Sequence, residues 1–226
     1  MTEYTLEVIF NRADLKLIYQ AGQKVVLIKE VDGGGNKVVW VIFEPFQENK
    51  ITWGSNYFLY ASPTQAMEGL QIIGWTMQEA QAQSEYIFND DKIFSAPEPN
   101  SKLKPYQYMV LNNTSFDREK MLTFGMAQTC IINGQKKSPH LLNATLVPAK
   151  QFAKFIPTNK VLIFLAANIN DFSVHNDVRL DINIGKITSK NSVAGSSGSI
   201  ATELDFSLSK EISVKYSASL GKFLQQ

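Results

Sequence analysis

The chain has one cysteine, Cys130, in 226 residues, so no intramolecular disulfide can form and the fold must rest on its core. Histidine is almost as scarce, with only His140 and His175. A thiol–imidazole nucleophile would therefore need Cys130 beside one of these two and activated. Its setting, Ala127-Gln128-Thr129-Cys130-Ile131-Ile132, reads instead as a buried structural thiol. No Gly-x-Ser-x-Gly elbow, phosphate-binding glycine loop or His-Glu-x-x-His motif occurs. Charge of one sign is lacking too: 22 Lys and Arg against 21 Asp and Glu leave a net +1, without a basic run. Such a chain has no electrostatic reason to bind nucleic acid. The longest apolar run, Val161–Ala167, is far below the ~20 residues of a membrane helix. The opening Met1-Thr2-Glu3-Tyr4-Thr5 predicts no secretory signal peptide, and hence a soluble protein, cytoplasmic or released by a non-classical route.

What the sequence does contain is period-2 patterning. Tyr4, Leu6, Val8 and Phe10 alternate as a first strand, and Asn11 can cap a short helix over Arg12–Ala21, with Gly22 just past its end. Lys24–Val31 and Lys37–Phe43 flank Asp32-Gly33-Gly34-Gly35-Asn36 and predict a hairpin. Further strands are expected at Ile51–Trp53, Tyr57–Ala61, Leu70–Met77, Tyr106–Leu111, Leu122–Ile132 and Leu141–Val147. Gln78–Phe88 keeps strand parity through Ala80, Ala82, Tyr86 and Phe88 despite helix-forming residues. Ser62-Pro63-Thr64-Gln65 predicts a helical turn stopped by Gly69, and another is expected at Ser115–Met121. Val161–Ala167 is apolar on both faces and predicts a central strand covered on both sides. These features give an all-β fold: a β-sandwich-like body with few short helices and a long C-terminal amphipathic β-hairpin. The expected organisation is a single domain over 1–226, with a possible sub-domain boundary in the proline-rich loop 95–105.

The C-terminal quarter is the most unusual stretch. Leu204, Phe206, Leu208, Ile212, Val214, Tyr216, Ala218 and Leu220 alternate with Ser, Glu, Asp and Lys, broken only by Lys210. As one strand these seventeen residues would run about 56 Å, against a usual length of ~5–6 residues. Upstream, Val178, Leu180, Ile182 and Ile184 alternate, and Lys186–Thr202 is rich in Ser, Thr, Asn and Gly, with apolar points at Val193-Ala194 and Ile200-Ala201. In composition only, this segment resembles the Ser/Thr-rich insertion hairpins of aerolysin-type β-pore-forming toxins.

Three readings of Val178–Leu220 stand open: a static hairpin covering the core, a hairpin that leaves the body to form a transmembrane barrel, and an edge that pairs with a second copy. The leading expectation is a non-enzymatic, membrane-active, toxin-like protein acting as a homo-oligomer. Its membrane and assembly residues are Val193, Ile200, Leu204, Phe206, Leu208, Ile212, Val214 and Tyr216. The alternative is a lectin-like or self-assembling structural or inclusion protein with a static hairpin. Trp53 and Tyr57 flank the Gly54-Ser55-Asn56 turn and, with Tyr60, form a candidate platform for a glycan or lipid headgroup. Trp40 reads as core. The Asn/Asp cluster at Asn168–Asp171, with His175, Asp177 and Asp181, matches no metal-loop spacing and reads as turns, so neither metal nor cofactor is expected.

Overall fold

The computed structural model describes residues 2–74, 76–115, 121–174 and 201–226. In chain order the elements are β1 (Tyr4–Ile9), α1 (Arg12–Gln20), β2 (Lys24–Asp32), β3 (Asn36–Lys37), β4 (Val41–Phe43), β5 (Glu48–Trp53) and β6 (Tyr57–Ser62). Then come β7 (Thr76–Ala80), β8 (Ser84–Phe88), β9 (Glu98–Pro99), β10 (Tyr108–Asn112), β11 (Leu122–Gln128), β12 (Ile131–Ile132), β13 (Gln135–Lys136) and β14 (His140–Leu141). The chain continues with β15 (Asn143–Val147), β16 (Phe152–Ala166), β17 (Thr202–Asp205), β18 (Glu211–Ser217) and β19 (Lys222–Gln225). The protein is all-β, with one nine-residue helix among the described residues.

The strands form three sheets that share a core. The first runs β13-β12-β5-β1-β18-β19, the second β4-β2-β16-β10-β8-β9 with β17 on β16, and the third β3-β15-β11-β6-β7 with β14 on β11. Leu6 and Val8 of β1, Leu27 of β2, Leu59 of β6, Phe124 of β11 and Ile163 of β16 all enter the main core, which makes the body sandwich-like. That core also takes Tyr86 and Phe94 from before the proline-rich loop and Tyr108 and Val110 from after it. Strands β2 and β16 are covered on both faces. Val161, Ile163 and Leu165 face the main core, while Leu162, Phe164 and Ala166 join Val26, Ile28 and Val39 in a second cluster. The double-sided run of the sequence is therefore a central strand, and its backbone is paired along one edge with β2 and along the other with β10 and β17.

Local chemistry explains where the folded chain departs from its pattern. Val41–Phe43 folds back on Val25–Leu27, in the register that the Asp32–Asn36 turn would give, but Asn36–Lys37 peels away to pair with Asn143 and Ala144 of β15. Gly33 and Gly35 both have positive φ and lie against neighbouring strands; a Cβ there would overlap the carbonyl oxygen of Lys154 and the hydroxyl of Thr145. Only glycine fits that approach. The expected helical turn after Ser62 does not form: Ser62 Oγ accepts the Thr64 N–H at 3.0 Å and donates to Ile73 O at 2.6 Å, which closes a side-chain turn instead. Leu70–Gly74 is loop, and the strand expected there begins at Thr76. Leu122–Ile132 bends at Thr129–Cys130 and supplies two sheets, through β11 and β12. The turn expected at Ser115–Met121 falls mostly, and Val178–Ile184 entirely, outside the described residues.

The alternating stretch Leu204–Leu220 is two strands rather than one. Strand β17 pairs antiparallel with β16, and β18 pairs parallel with β1 in a different sheet. Between them the Asp205 carboxylate accepts the Ser207 N–H at 2.8 Å, and Ser209 Oγ accepts the Glu211 N–H at 3.2 Å. These side-chain bonds satisfy a turn at the point where the pattern reads straight on. Parity survives on both sides of the turn, so Leu204, Phe206, Ile212, Val214 and Tyr216 all reach the main core. Phe206 packs edge-on to Trp53 at 4.9 Å, whereas Leu208, on the turn, is 97% exposed. Phe206→Ala is expected to cost about 3–5 kcal/mol of unfolding free energy. Leu208→Ala should stay within about 0.5 kcal/mol. Urea unfolding of both variants checks this, and comparable losses at the two positions would contradict the turn.

Candidate functional site

Three sheets meet at a buried lysine. Lys29 lies at the same parity on β2 as Val25 and Leu27, so the strand carries its side chain into the main core, where it is 2% exposed. Its Nζ donates to Gln128 Oε1 at 2.6 Å and to the Tyr57 hydroxyl at 3.3 Å. The ammonium also lies over three rings, 5.1 Å from the centroid of Tyr57 and 5.6 Å from those of Trp40 and Trp53. Gln128 is itself fixed, donating from Nε2 to Gly54 O at 2.6 Å and accepting the Trp40 indole N–H at its backbone oxygen. The groups thus come from β2, the β3–β4 link, β5, β6 and β11.

Among the described residues no carboxylate pairs with this ammonium, and desolvation dominates its titration. Burial holds the amine far below the ordinary lysine range, at about 7. Ring quadrupoles and the amide oxygen favour the charged form in the opposite direction. A neutral buried amine is a nucleophile toward carbonyl carbon in principle. Here the amine is enclosed, and the hollow that Lys29 lines together with Glu30, Asp32, Asn36 and Asn143 includes none of the cage rings. The arrangement serves as an internal polar anchor. Sequence reading passed over it, although a lysine at a core-facing parity in an apolar run is a legible signal.

The residues singled out from sequence fall into three places. Trp53, Tyr57 and Tyr60 are 4%, 8% and 0% exposed, so they offer no open face to a glycan or headgroup. Trp53 and Tyr57 wall the lysine cage, and Tyr60 donates to Asn143 O at 2.6 Å inside a satellite cluster. The Gly54 turn is polar, but the flanking strands β5 and β6 turn both rings inward. Leu204, Phe206, Ile212, Val214 and Tyr216 are core, Leu208 is exposed, and Val193 and Ile200 lie outside the described residues. Cys130 is buried, its thiol pushed up to about 12 by desolvation, which opposes thiolate formation. His140 Nδ1 donates to Trp40 O at 2.7 Å, and burial lowers its basicity.

A surface cleft of about 350 Å³ lies between the end of β6 and the β8–β9 and β10–β11 connections. Phe88, Leu122, Pro63 and Gly74 give it apolar lining, and Asp90, Lys92, Thr114 and Ser115 give it polar lining. Asp90 accepts the Ser115 hydroxyl at 2.6 Å and the Ser115 N–H at 2.7 Å, and these bonds hold its carboxyl below the usual carboxylate range. This mixture of apolar lining and a few polar groups is the common form of a small-ligand site. The chain matches no protein-family model, no curated protein and no solved structure.

The buried lysine gives a pH signature. Between about pH 7 and 10.5 the unfolded chain holds a proton on Lys29 that the folded chain does not, so this group makes stability rise with pH through that window. Below about 7 both states are protonated and the penalty is constant. Relative to wild type, Lys29→Met should therefore be most favourable near pH 7 and become less so toward pH 10. Urea unfolding of both proteins across that range measures the difference, and a pH-independent difference would contradict the assignment.

Proposed function

We propose that this is a non-enzymatic, membrane-active protein that inserts residues 167–201 into a bilayer as a β-hairpin and closes a barrel by oligomerisation. The observation that carries the reading is the register of β16 on β17. Lys160, Val161, Leu162 and Ile163 pair with Asp205, Leu204, Glu203 and Thr202, so the chain leaves β16 and returns on the adjacent antiparallel strand. The intervening segment can lengthen that ladder without unpicking β16 from β2.

Continuing the same register through the sequence sorts the residues by polarity. Continued, this register puts the tip at 182–183, and one face of the hairpin receives Val174, Val178, Leu180 and Ile182 from the first arm and Ile187 and Val193 from the second. The opposite face receives Asp171, His175, Asp177, Arg179 and Asp181, together with Ile184, which would pair with Asp181 at the tip, and with Lys186 and Lys190. Every charged residue between 171 and 190 falls on one side, and Asn176, Asn183 and Asn191 are amides on the other. Arms of about ten residues suit a bilayer crossing, with the apolar face to lipid and the charged face to a lumen. A lone hairpin leaves unpaired edges in hydrocarbon, so only a closed ring of several copies satisfies the backbone. Strands β17 to β19 stay in the body on this reading, as their core side chains require.

The start of the segment is held to the body on two sides, and insertion would have to open both. On one side Val39 N–H donates to Ser173 O at 3.0 Å and Phe172 N–H to Val39 O at 3.3 Å, and on the other the loop at Leu70 pairs with it. Val174 N–H donates to Leu70 O at 3.0 Å and Ile72 N–H to Phe172 O at 3.2 Å, which makes Gln71 and Ser173 facing partners without a mutual bond. Such pairs lie within disulfide reach. In Gln71→Cys/Ser173→Cys, oxidation should abolish dye release from liposomes and a reductant should restore it. Equal release in the oxidised and reduced states would contradict hairpin release, and no release by the wild-type protein from any lipid would sink the reading.

A further inference from the structure

We propose that the loop 63–74 and the cleft beside it form the contact made with a zwitterionic phospholipid surface, the cleft taking the headgroup and the loop entering the interfacial layer. The inference rests on the membrane reading above and names the surface that meets the bilayer first.

The loop displays three large apolar side chains within seven residues: Met67, Leu70 and Ile73 are 54%, 47% and 58% exposed. Their display is built into the fold. Ala66 and Ile72, between them in sequence, are buried in the satellite cluster with Val38 and Val174. Asn36 Nδ2 donates to Ala66 O at 2.9 Å, Thr123 Oγ1 to Thr64 O at 2.6 Å, and Thr64 Oγ1 to Ile73 O at 3.0 Å. A framed loop that turns alternate apolar residues outward marks an interaction site rather than a chance exposure.

The chemistry of the cleft selects the kind of surface. Pro63 and Gly74, at the two ends of the loop, also line the cleft, so a headgroup bound there lies beside the three apolar side chains. The cleft is lined by a carboxylate residue, Asp90, bonded to Ser115, and by Lys92 and Thr114. Asp90 uses Ser115 to hold its position and keeps lone pairs for a cationic group, while Lys92 suits a phosphate. Both charges of a phosphocholine-type headgroup are thus complemented. An anionic surface is disfavoured by Asp90, by Glu68 between Met67 and Leu70, and by a net charge of only +1. The loop is also bonded to the start of the inserting segment, since Gly69 N–H donates to Val174 O at 2.9 Å. Docking therefore acts on one of the two contacts that must open.

Cosedimentation with vesicles tests the contact independently of leakage. The wild-type protein should partition at least tenfold more strongly onto phosphatidylcholine vesicles than onto phosphatidylglycerol vesicles. Met67→Ser/Leu70→Ser/Ile73→Ser should lose at least tenfold in partition to phosphatidylcholine, with near-ultraviolet circular dichroism unchanged. Met67→Ser alone, at an exposed position, should lose at least twofold and serves if the triple variant does not fold. Asp90→Asn should reduce the preference for phosphatidylcholine at least threefold. Wild-type partition onto loop-variant levels, no preference between the two lipids, or an unchanged preference in Asp90→Asn would overturn the proposal. Vesicle binding without leakage would sink the hairpin reading alone, and undiminished leakage by the loop variants would sink the contact site alone.

Discussion

The constraint on which the molecule depends is that Val161–Ala166 must be covered on both faces. A strand of Val, Leu, Ile, Phe and Ala with no wet side cannot stand at a surface, so β2 and β17 must flank it and apolar layers must lie above and below. That requirement recruits β2, which is apolar on both faces for the same reason, and makes β2 and β16 the seam of the fold. The three sheets then close over one face of the seam, and the Val39 region, with Ala201, covers the other. Ala201 is the last residue before β17, so the returning end of segment 167–201 is fixed at this seam. On the proposed reading, function and fold would share one strand: β16 is the central strand of the body and the first arm from which a hairpin would grow.

The lysine cage is the second consequence of that closure. Where three curved sheets meet, apolar side chains alone leave a junction with backbone oxygens and an amide to satisfy. Lys29 fills it with a long stem and a head that reaches Gln128 and Tyr57, while Trp40 and Trp53 cover it. Net stabilisation from such a group is small, because desolvation opposes the ring and amide contacts. Its clearer effect is on geometry, since it fixes β2, β5, β6 and β11 relative to one another.

Much of the fold was legible in the sequence because parity is a local signal. Tyr4–Phe10, Ile51–Trp53 and Val161–Ala166 declare their faces through alternation or through its absence, whereas Glu48-Asn49-Lys50 reads as a turn and is the first half of β5. The Leu204–Leu220 stretch shows the limit of that signal. A turn of five residues, Phe206–Lys210, returns the chain with parity intact, so two strands in two sheets imitate one. Asp205 and Ser209 carry the turn chemistry, but in a stretch with many Ser and acidic residues they do not stand out. The aromatic pair is enclosed for a related reason: Trp53 and Tyr57 flank a polar turn in sequence, yet inward strand parity sends both rings to the lysine. The cleft of Asp90 and Lys92 was invisible because its walls come from residues as far apart as Ala61 and Leu122. The loop residues Met67, Leu70 and Ile73 were misread as parts of a helical turn and a strand, since spacing alone does not reveal that Ala66 and Ile72 hold the inward places.

Hairpin insertion requires that the β16–β17 register continue through residues 167–201 at the membrane. Single cysteines carrying an environment-sensitive fluorophore, placed one at a time from 177 to 193, read this directly in vesicle-bound protein. The predicted result is strict alternation, with positions 178, 180 and 182 in lipid and 177, 179 and 181 in water. Parity must then invert across the tip, so that 187 and 193 are in lipid and 186 and 190 in water. Uniformly aqueous signals, or alternation that keeps one parity along both arms, would contradict it.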